Sequence, residues 1–486
     1  MRCGFAGSVF FAASALGCVN NPVTGKPELS LVSKADEIAL GKRAEAEVLE
    51  TVGPYDDPKL EAYVARMGLG IAKITERPDL PWSFHVLDDP AVNAFALPGG
   101  PVFVTRGILA HLTSEAELAA VLGHECGHIA AKHSVAQMSR DQLAGLGIGL
   151  GSVLIPDMAR FQGLVGAGVQ LLFLQYSRSA EEEADDLGFR YALTNGWDAR
   201  DMKDLFVMLS GVGRQDGARV PQWLSTHPNP ENRLERIEER LSQLESIDWA
   251  SKRQGRDSYL QAIDGVVFGH DDREGYMRAN TFIHPGLGFR IAFPPGFAVQ
   301  NQRNLVVAVS QERDAAAVLG VVSKKPEDAL KEFLSNREIE TIAPPAGDGA
   351  MSPLTRYFRA RTADGTLGGV VSFLSFGGHT FEYVAYSTAE RFGRYQTVFA
   401  STLASFAQEA DPKLLHPKVA RIAIAKVALD MSLREFNVRF PSVIGINELA
   451  LINGVSVGEV LAPGRLVKRV VEEPIPGRDA KSEFEH

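Results

Sequence analysis

The sequence predicts a multidomain α+β protein, and three observations lead to that class. At 486 residues the chain is long enough for about three domains. Residues before about 245 are dominated by segments rich in helix formers, whereas later residues contain runs of alternating apolar and polar side chains. The hydrophobic share of 45% and charged share of 23% are ordinary for a globular protein. The net charge of −10 argues against nucleic acid as a partner.

A predicted helix in the first half carries the strongest chemical signal. Thr113 or Ser114 can cap its start, and it contains His124, Glu125 and His128 in the order HECGH. Because each helical residue turns about 100°, the two histidines share one face. Both imidazoles can then bind one Zn²⁺, while Glu125 can accept a proton from a water molecule beside the metal.

A catalytic zinc needs three protein ligands, and a second predicted helix offers carboxylates for the third. Its sequence, SRSAEEEADD, places Glu181 four residues before Asp185 and Glu182 four residues before Asp186. In either pair one carboxylate can bind zinc while the other accepts a hydrogen bond from a ligating imidazole. Spacing alone leaves both pairs open. His133 lies nine residues after the first histidine, so we expect it to face away from the metal, as a surface or second-layer residue.

Three ordered motifs resemble the HtpX and CAAX-prenyl-protease family of gluzincin zinc metallopeptidases: HECGH, SRSAEEEAD and THPNPENRLERI. The similarity is greatest to its soluble periplasmic BepA-like and Oma-like branch, and covers roughly residues 20 to 245. It implies one Zn²⁺ per chain, with Glu181 as the third ligand and Asp185 as the partner of a ligating histidine. It also implies that His227 either stabilises the oxyanion or binds the metal in a latent enzyme, with Arg233 beside it.

Residues 89–105 read as a strand, a Pro-Gly-Gly turn and a second strand. In the resembling family this hairpin is the sheet edge beside the active site. Asn93, Ala94 and Phe95 would then contact an extended substrate by main-chain pairing. The alternative is a hairpin that only buries Phe95 and Phe103.

The first eighteen residues resemble a bacterial secretion signal that ends at a lipoprotein cleavage site. Lipidation of Cys18 would anchor the protein to a membrane that faces the periplasm. Without lipidation we expect a soluble periplasmic protein. Only two other cysteines occur, Cys3 and Cys126, which excludes a disulfide framework. The apolar region 143–174 is interrupted by polar residues, and we expect a buried helical pair there rather than a membrane span.

The expected organisation follows from these patterns and resemblances. It comprises a signal at 1–18, a mainly helical zincin peptidase domain with a small β-hairpin or sheet at 19–248, an α+β antiparallel-sheet domain at 256–410, a degenerate LysM-like βααβ module at 415–472, and a polar tail at 473–486. The 256–410 segment resembles PsbP-like domains of exported lipoproteins. The LysM resemblance implies peptidoglycan as a partner.

The function that these features predict is a zinc metalloendopeptidase that hydrolyses misfolded or unassembled envelope proteins. Its partners would be polypeptide substrates, together with the outer-membrane assembly machinery or peptidoglycan. The alternative is a non-proteolytic zinc-binding chaperone or assembly scaffold of the cell envelope. The presence of Glu125 favours the enzyme, because a scaffold needs no general base.

Overall fold

The structure, a computed structural model, describes residues 18–143, 176–215, 223, 226–227, 230–244, 246–303, 305–344, 352–362 and 365–472. The expected signal before Cys18, the apolar region 144–174 and the polar tail 473–486 lie outside these residues. Helices dominate the first half of the chain and antiparallel sheets the second, which confirms an α+β multidomain class. Within the described parts, no helix combines the length and apolar character that crossing a membrane requires.

The first half is mainly helical. Its helices are α1 (Lys34–Thr51), α2 (Pro58–Ala72), α3 (Arg106–His111), α4 (Glu115–Ala130), α5 (His133–Leu143), α6 (Arg178–Thr194), α7 (Asp201–Gln215), α8 (Pro230–Ser242) and α9 (Arg256–Ala262). Ser114 caps α4 by accepting a hydrogen bond from the Glu117 backbone N–H at 3.0 Å. Glu117 in turn accepts hydrogen bonds from the backbone and side chain of Thr113, so both predicted capping residues take part.

A small sheet accompanies these helices. Its strands are β3 (Ser83–Leu87), β4 (Ala94–Ala96) and β5 (Pro101–Thr105), and a short hairpin of β1 (Cys18–Asn20) and β2 (Pro27–Leu29) precedes them. β5 lies in the middle, parallel to β3 and antiparallel to β4. Gly99 and Gly100 have φ values of +83° and +135°, which the tight turn requires and which glycine adopts without strain. The predicted hairpin is therefore present, with β4 at the edge of the sheet.

Helices α4 and α6 approach each other closely because each has a glycine at their contact. A Cβ atom placed on Gly188 of α6 would lie 2.8 Å from the backbone nitrogen of His124 in α4. A Cβ atom on Gly127 would lie 3.2 Å from the carbonyl oxygen of Ala184. This contact sets the two predicted metal-binding helices side by side.

The second half is built from antiparallel sheets. Its strands are β6 (Tyr276–Arg278), β7 (Thr281–His284), β8 (Phe289–Ala292), β9 (Ala298–Gln302), β10 (Leu305–Val309), β11 (Ala315–Val322), β12 (Ile339–Ile342), β13 (Thr355–Thr362), β14 (Gly365–Phe376), β15 (His379–Thr388) and β16 (Ala407–Gln408). One sheet has the order β12-β13-β14-β15-β11-β10-β9, and the other β16-β8-β7-β6. Helices α10 (Pro326–Ser335) and α11 (Phe392–Ala404) accompany them.

Residues 421–471 have a βααβ order with one further short strand on each side of the two helices. Strand β17 (Arg421–Lys426) pairs antiparallel with β20 (Leu466–Val471), and β18 (Met431–Ser432) pairs with β19 (Val460–Leu461). The helices are α12 (Pro412–Leu415), α13 (Leu433–Arg439) and α14 (Ile446–Asn453). Buried side chains of this segment, including Ile422, Leu449 and Val470, belong to the same hydrophobic cluster as the first-half helices. The segment thus packs on the first half rather than forming an isolated core.

Candidate metal centre

Helix α4 presents both histidines of HECGH toward one point. The Nε2 atoms of His124 and His128 are 3.0 Å apart, and both side chains are almost completely buried. Glu125 lies beside them, equally buried, and its Oε1 atom has no hydrogen-bond partner among the described residues. The helix therefore places two imidazoles and one carboxylate at a common buried site, as the spacing predicts.

Helix α6 brings Glu181, and not Glu182, to the imidazoles. Oε2 of Glu181 is 3.6 Å from His124 Nε2, and its Oε1 is 3.5 Å from His128 Nε2. Glu182 points the other way and pairs with Arg236 at 2.6 Å, with a side chain that is 39% exposed. Asp186 likewise pairs with Arg240 at the surface. Of the two pairs that spacing left open, the structure brings Glu181 and Asp185 to the site.

His227 joins the same cluster from the segment before α8. Its Nδ1 is 2.8 Å from Glu181 Oε1 and 3.2 Å from His124 Nε2. Its Nε2 is 3.7 Å from Glu125 Oε1. The ring of Trp223 lies 4.8 Å from the His227 ring and packs against it. Four ligand atoms, from His124, His128, Glu181 and His227, consequently lie within 4.8 Å of one another.

Asp185 and Arg233 form a second layer behind His124. Asp185 Oδ1 is 3.0 Å from His124 Nδ1, and Arg233 Nε donates to Asp185 Oδ2 at 2.7 Å. Burial alone would raise the pKa of Asp185, but Arg233 and His124 outweigh burial and hold that pKa well below its usual range. The ionised carboxylate can therefore accept the Nδ1–H of His124, which directs Nε2 toward the cluster.

His133 corrects one prediction. It does not face away from the site, because helix α4 ends at Ala130 and the chain turns at Lys132, whose φ is +61°. The turn brings His133 Nδ1 to 2.9 Å from His128 Nδ1, and His133 Nε2 to 3.2 Å from Glu183 Oε2. His133 is thus a buried second-layer residue, and nothing between Ala130 and His133 in the sequence indicates the helix break.

Two aromatic residues of the site were not predicted. The Tyr176 ring stacks on His128 with centroids 4.0 Å apart, and its hydroxyl is 2.7 Å from Ser134 Oγ. Trp223 contacts His227 and lies under the guanidinium of Arg233 at 4.5 Å. Both therefore pack against imidazole rings of the site. A tyrosine directly before the SRSAEEEAD motif was the only local sign of the first contact.

The three residues of the predicted substrate strand are buried. Asn93, Ala94 and Phe95 have at most 7% of their surface exposed. Phe95 stacks on Phe103 at 4.9 Å, as the alternative interpretation expects. The backbone N–H of Trp223 donates to the Val92 carbonyl at 3.3 Å, which links the edge of the hairpin to the histidine cluster.

The residues of the cluster fit a tetrahedral metal site. Ligand atoms bound at zinc–nitrogen and zinc–oxygen distances of ~2.1 Å are about 3.4 Å apart, and the cluster distances of 2.8 to 3.6 Å scatter around that value. Oε2 of Glu181 has no hydrogen-bond donor among the described residues, although it is buried. Burial, followed by the neighbouring imidazoles, holds the pKa of His128 well below its usual value, so its nitrogen is available as a ligand.

Comparison with known proteins identifies the family. Residues 58–241 match the sequence model of peptidase family M48. The chain is 32% identical over 244 residues to the mitochondrial metalloendopeptidase OMA1 of Schizosaccharomyces pombe, covering 49% of this chain and 69% of the yeast protein. The chain belongs to peptidase family M48. Its matched segment is therefore a metalloendopeptidase domain that contains all four ligand candidates.

Other M48 relatives are aligned over the same half. The chain is 27% identical over 241 residues to the beta-barrel assembly-enhancing protease of Yersinia pestis, covering 48% of this chain and 49% of that protein. It is 30% identical over 242 residues to OMA1 of Bos taurus, covering 46% of each. This M48 chain thus spans about half the length of these relatives, so they say nothing about residues beyond the matched half.

One solved structure is similar to part of the M48 chain, at low sequence identity. The solution structure of cyanobacterial PsbP from Synechocystis is 15% identical, covers 27% of this chain and 94% of that chain, and has a TM-score of 0.22. That score is too low to assign a fold. The PsbP-like resemblance of residues 256–410 therefore stays a prediction.

Proposed function

We propose that this M48 protein is a zinc-dependent endopeptidase, with one Zn²⁺ held by His124, His128 and Glu181. The observation that carries the proposal is the convergence of these three buried side chains beside the buried Glu125, whose Oε1 accepts no hydrogen bond from the described residues. Burying so many titratable groups together without a bound cation would leave unsatisfied polar atoms in the interior, which is costly. Nitrogen and oxygen donors in this number and arrangement suit zinc.

Each side chain at the site has a defined task. A bound zinc ion would polarise the scissile carbonyl and lower the pKa of the attacking water. Glu125 accepts the proton of that water and delivers it to the leaving amine. Asp185 fixes the tautomer of His124, and Arg233 keeps Asp185 ionised. Trp223 and Tyr176 exclude bulk water from the imidazoles.

His227 is the residue through which activity can be controlled. We propose that it is the fourth ligand in the form described here, because its Nδ1 lies next to His124 Nε2 and Glu181 Oε1. Burial lowers the pKa of His227, but the carboxylates of Glu181 and Glu125 outweigh burial and raise that pKa overall, which favours a protonated ring as long as no cation is bound. A bound cation would favour the neutral ring that ligation requires. A His227 ring that is not bound to the metal would be available to stabilise the oxyanion of the substrate, since its Nε2 lies 3.7 Å from Oε1 of the general base Glu125. The two roles that the family resemblance implied are then successive states of one residue.

The substrates that we propose are misfolded or unassembled proteins of the bacterial envelope. The name of the Yersinia pestis relative, a beta-barrel assembly-enhancing protease, supports this class and supports the outer-membrane assembly machinery as a partner. A periplasmic location with a lipid on Cys18 rests on the signal-like residues before it. The βααβ topology of residues 421–471 is compatible with a LysM-like module that contacts peptidoglycan.

The experiment that tests the function uses Glu125→Gln, which keeps the size of the side chain and removes the base. Purified wild type and variant are compared for zinc content and for cleavage of casein, with and without a chelator. Equal zinc contents with cleavage by wild type alone support the endopeptidase. Full activity of Glu125→Gln would refute the role of Glu125. Zinc binding with no cleavage by wild type would favour the alternative, a zinc-binding chaperone or scaffold.

A further inference from the structure

The three consecutive glutamates of helix α6 have three different surroundings. Glu181 reaches the histidine cluster, and Glu182 pairs with Arg236 at the surface. Glu183 does neither, because its Oε2 atom lies 3.2 Å from Nε2 of His133. Its side chain is 24% exposed, and its Oε1 atom is buried without a hydrogen-bond donor among the described residues. His133 is therefore the hydrogen-bond partner that the structure describes for Glu183.

His133 lies between Glu183 and one of the ligand candidates, His128. The Nδ1 atoms of the two histidines are 2.9 Å apart, and their rings meet edge to face with centroids 5.0 Å apart. The other ring nitrogen of His128, Nε2, faces the cluster and is 3.5 Å from Oε1 of Glu181. Because His133 is buried, bulk water has little access to these contacts. A continuous chain of contacts thus runs from the Glu183 carboxylate to the metal position.

The carboxylate determines where the protons of this chain lie. An ionised carboxylate only accepts hydrogen bonds, so Nε2 of His133 must carry the proton that Glu183 accepts. A neutral imidazole has a single N–H, which leaves Nδ1 of His133 as an acceptor. Nδ1 of His128 is then the donor across the 2.9 Å contact. His128 consequently has an unprotonated Nε2, which is the form that a metal ligand requires.

The opposite order of protons is unfavourable. A proton on Nδ1 of His133 would leave its bare Nε2 facing the Glu183 carboxylate at 3.2 Å, so two acceptors would meet without a proton between them. His128 would then accept at Nδ1 and carry its own proton on Nε2, where it could not bind a metal ion. Glu183 therefore favours the metal-binding tautomer of His128, although it does not touch that residue.

The other histidine of HECGH is supported by different groups. Nδ1 of His124 is 3.0 Å from Asp185, a carboxylate in direct contact, with Arg233 behind it. Nδ1 of His128 meets an imidazole instead, and the carboxylate of Glu183 lies beyond that imidazole. Helix α6 thus supplies one carboxylate for each histidine, one acting directly and the other through His133.

We propose that Glu183 is a positioning residue of the metal centre, which holds His128 in its metal-binding tautomer through His133. The inference rests on the proposed zinc-dependent function and deepens it, because it adds a residue that touches neither the metal position nor the substrate. The three glutamates of α6 then have separate roles: Glu181 binds the metal, Glu182 forms a surface ion pair, and Glu183 sets the tautomer.

Zinc affinity of the full-length protein, measured by chelator competition, tests this role without requiring cleavage. Glu183→Leu removes the acceptor and should weaken zinc binding about 10- to 100-fold, as expected for loss of an outer partner of a ligating histidine. Glu183→Gln retains an acceptor oxygen and should recover most of that loss. Glu182→Leu is the matched control, because it removes a carboxylate from the same helix turn that contacts only the surface arginine, and it should bind zinc as wild type does.

The proton positions are read from ¹⁵N–¹H spectra of zinc-loaded wild type labelled at its histidine rings. We expect protons on Nδ1 of His128 and on Nε2 of His133, and His133→Phe identifies the second signal by its loss. This measurement decides the proposal even where Glu183→Leu fails to fold.

Three results would overturn the proposal: a proton on Nδ1 of His133, unchanged zinc affinity in Glu183→Leu, or a loss of affinity in Glu183→Gln as large as that in Glu183→Leu. Absence of zinc binding by wild type would instead refute the proposed function itself. Zinc binding by wild type together with any of the three results would overturn only the role of Glu183.

Discussion

Replacing Lys468 with methionine should destabilise the metalloendopeptidase half, although Lys468 belongs to the C-terminal βααβ segment. The side chain is fully buried, and its Nζ donates to the carbonyl oxygens of Ala110 at 2.9 Å and Leu112 at 2.7 Å, with His111 at 3.3 Å. Helix α3 ends at His111, so these carbonyls have no partner within the helix. The next helix is α4, which carries HECGH.

The size of the effect follows from what methionine leaves behind. It fills nearly the same volume but donates no hydrogen bond, so the carbonyls at the end of α3 lose their buried donor. Removing one partner from a buried charged interaction costs about 3–5 kcal/mol. Burial lowers the pKa of Lys468, which weakens its charged form, and we therefore expect the lower end, about 3 kcal/mol.

Urea unfolding followed by tryptophan fluorescence measures this effect. The midpoint of Lys468→Met should fall by roughly 1 M relative to wild type. Lys426→Met is the matched control, because Lys426 is exposed on the paired strand β17, and it should change stability by less than ~0.5 kcal/mol. An unchanged midpoint for Lys468→Met would show that the C-terminal segment does not support the first half and would refute the reasoning.

Three further predictions concern residues of the metalloendopeptidase half. His133→Phe removes the hydrogen bond to His128 Nδ1 and should lower zinc affinity about 10- to 100-fold in a chelator competition; unchanged affinity would show that His133 is not needed. Gly188→Ala forces a Cβ against the backbone of His124 and should cost ~1–3 kcal/mol of stability and reduce bound zinc; a normal melting temperature would contradict the close contact. Burial lowers the pKa of His111 to about 4, below its unfolded value near 6.5, so the unfolded state binds the extra proton between these pH values. Stability should therefore fall by up to ~1.4 kcal/mol per unit as pH drops from 6.5 toward 4, and His111→Gln should reduce that slope in melting curves at pH 5 and pH 7.

Local sequence patterns were sufficient to predict the first-half helices and the hairpin. Ser114 as a cap, the two-histidine face of α4 and the glycine turn at residues 99–100 all depend on neighbours within a few residues. The choice between Glu181 and Glu182 was not decided by spacing. The apolar positions Ala180, Ala184 and Leu187 mark the buried face of α6, and that stripe could have indicated Glu181.

Other features depend on tertiary contacts that no short window contains. The break after Ala130 has no glycine or proline, and it places Lys132 in a left-handed conformation that its own sequence does not favour. Lys468 reads as an ordinary exposed residue of a strand, yet its amine is buried against a helix from the first half. The contact of Trp223 with His227 likewise arises from packing and not from a motif.

Metal analysis of three proteins tests the central claim most directly. Wild type, Glu181→Gln and Glu182→Gln are purified identically, and their zinc contents and casein cleavage are compared. We expect one zinc per chain and full cleavage for wild type and Glu182→Gln, and loss of both in Glu181→Gln. Retention of zinc and activity by Glu181→Gln would contradict it.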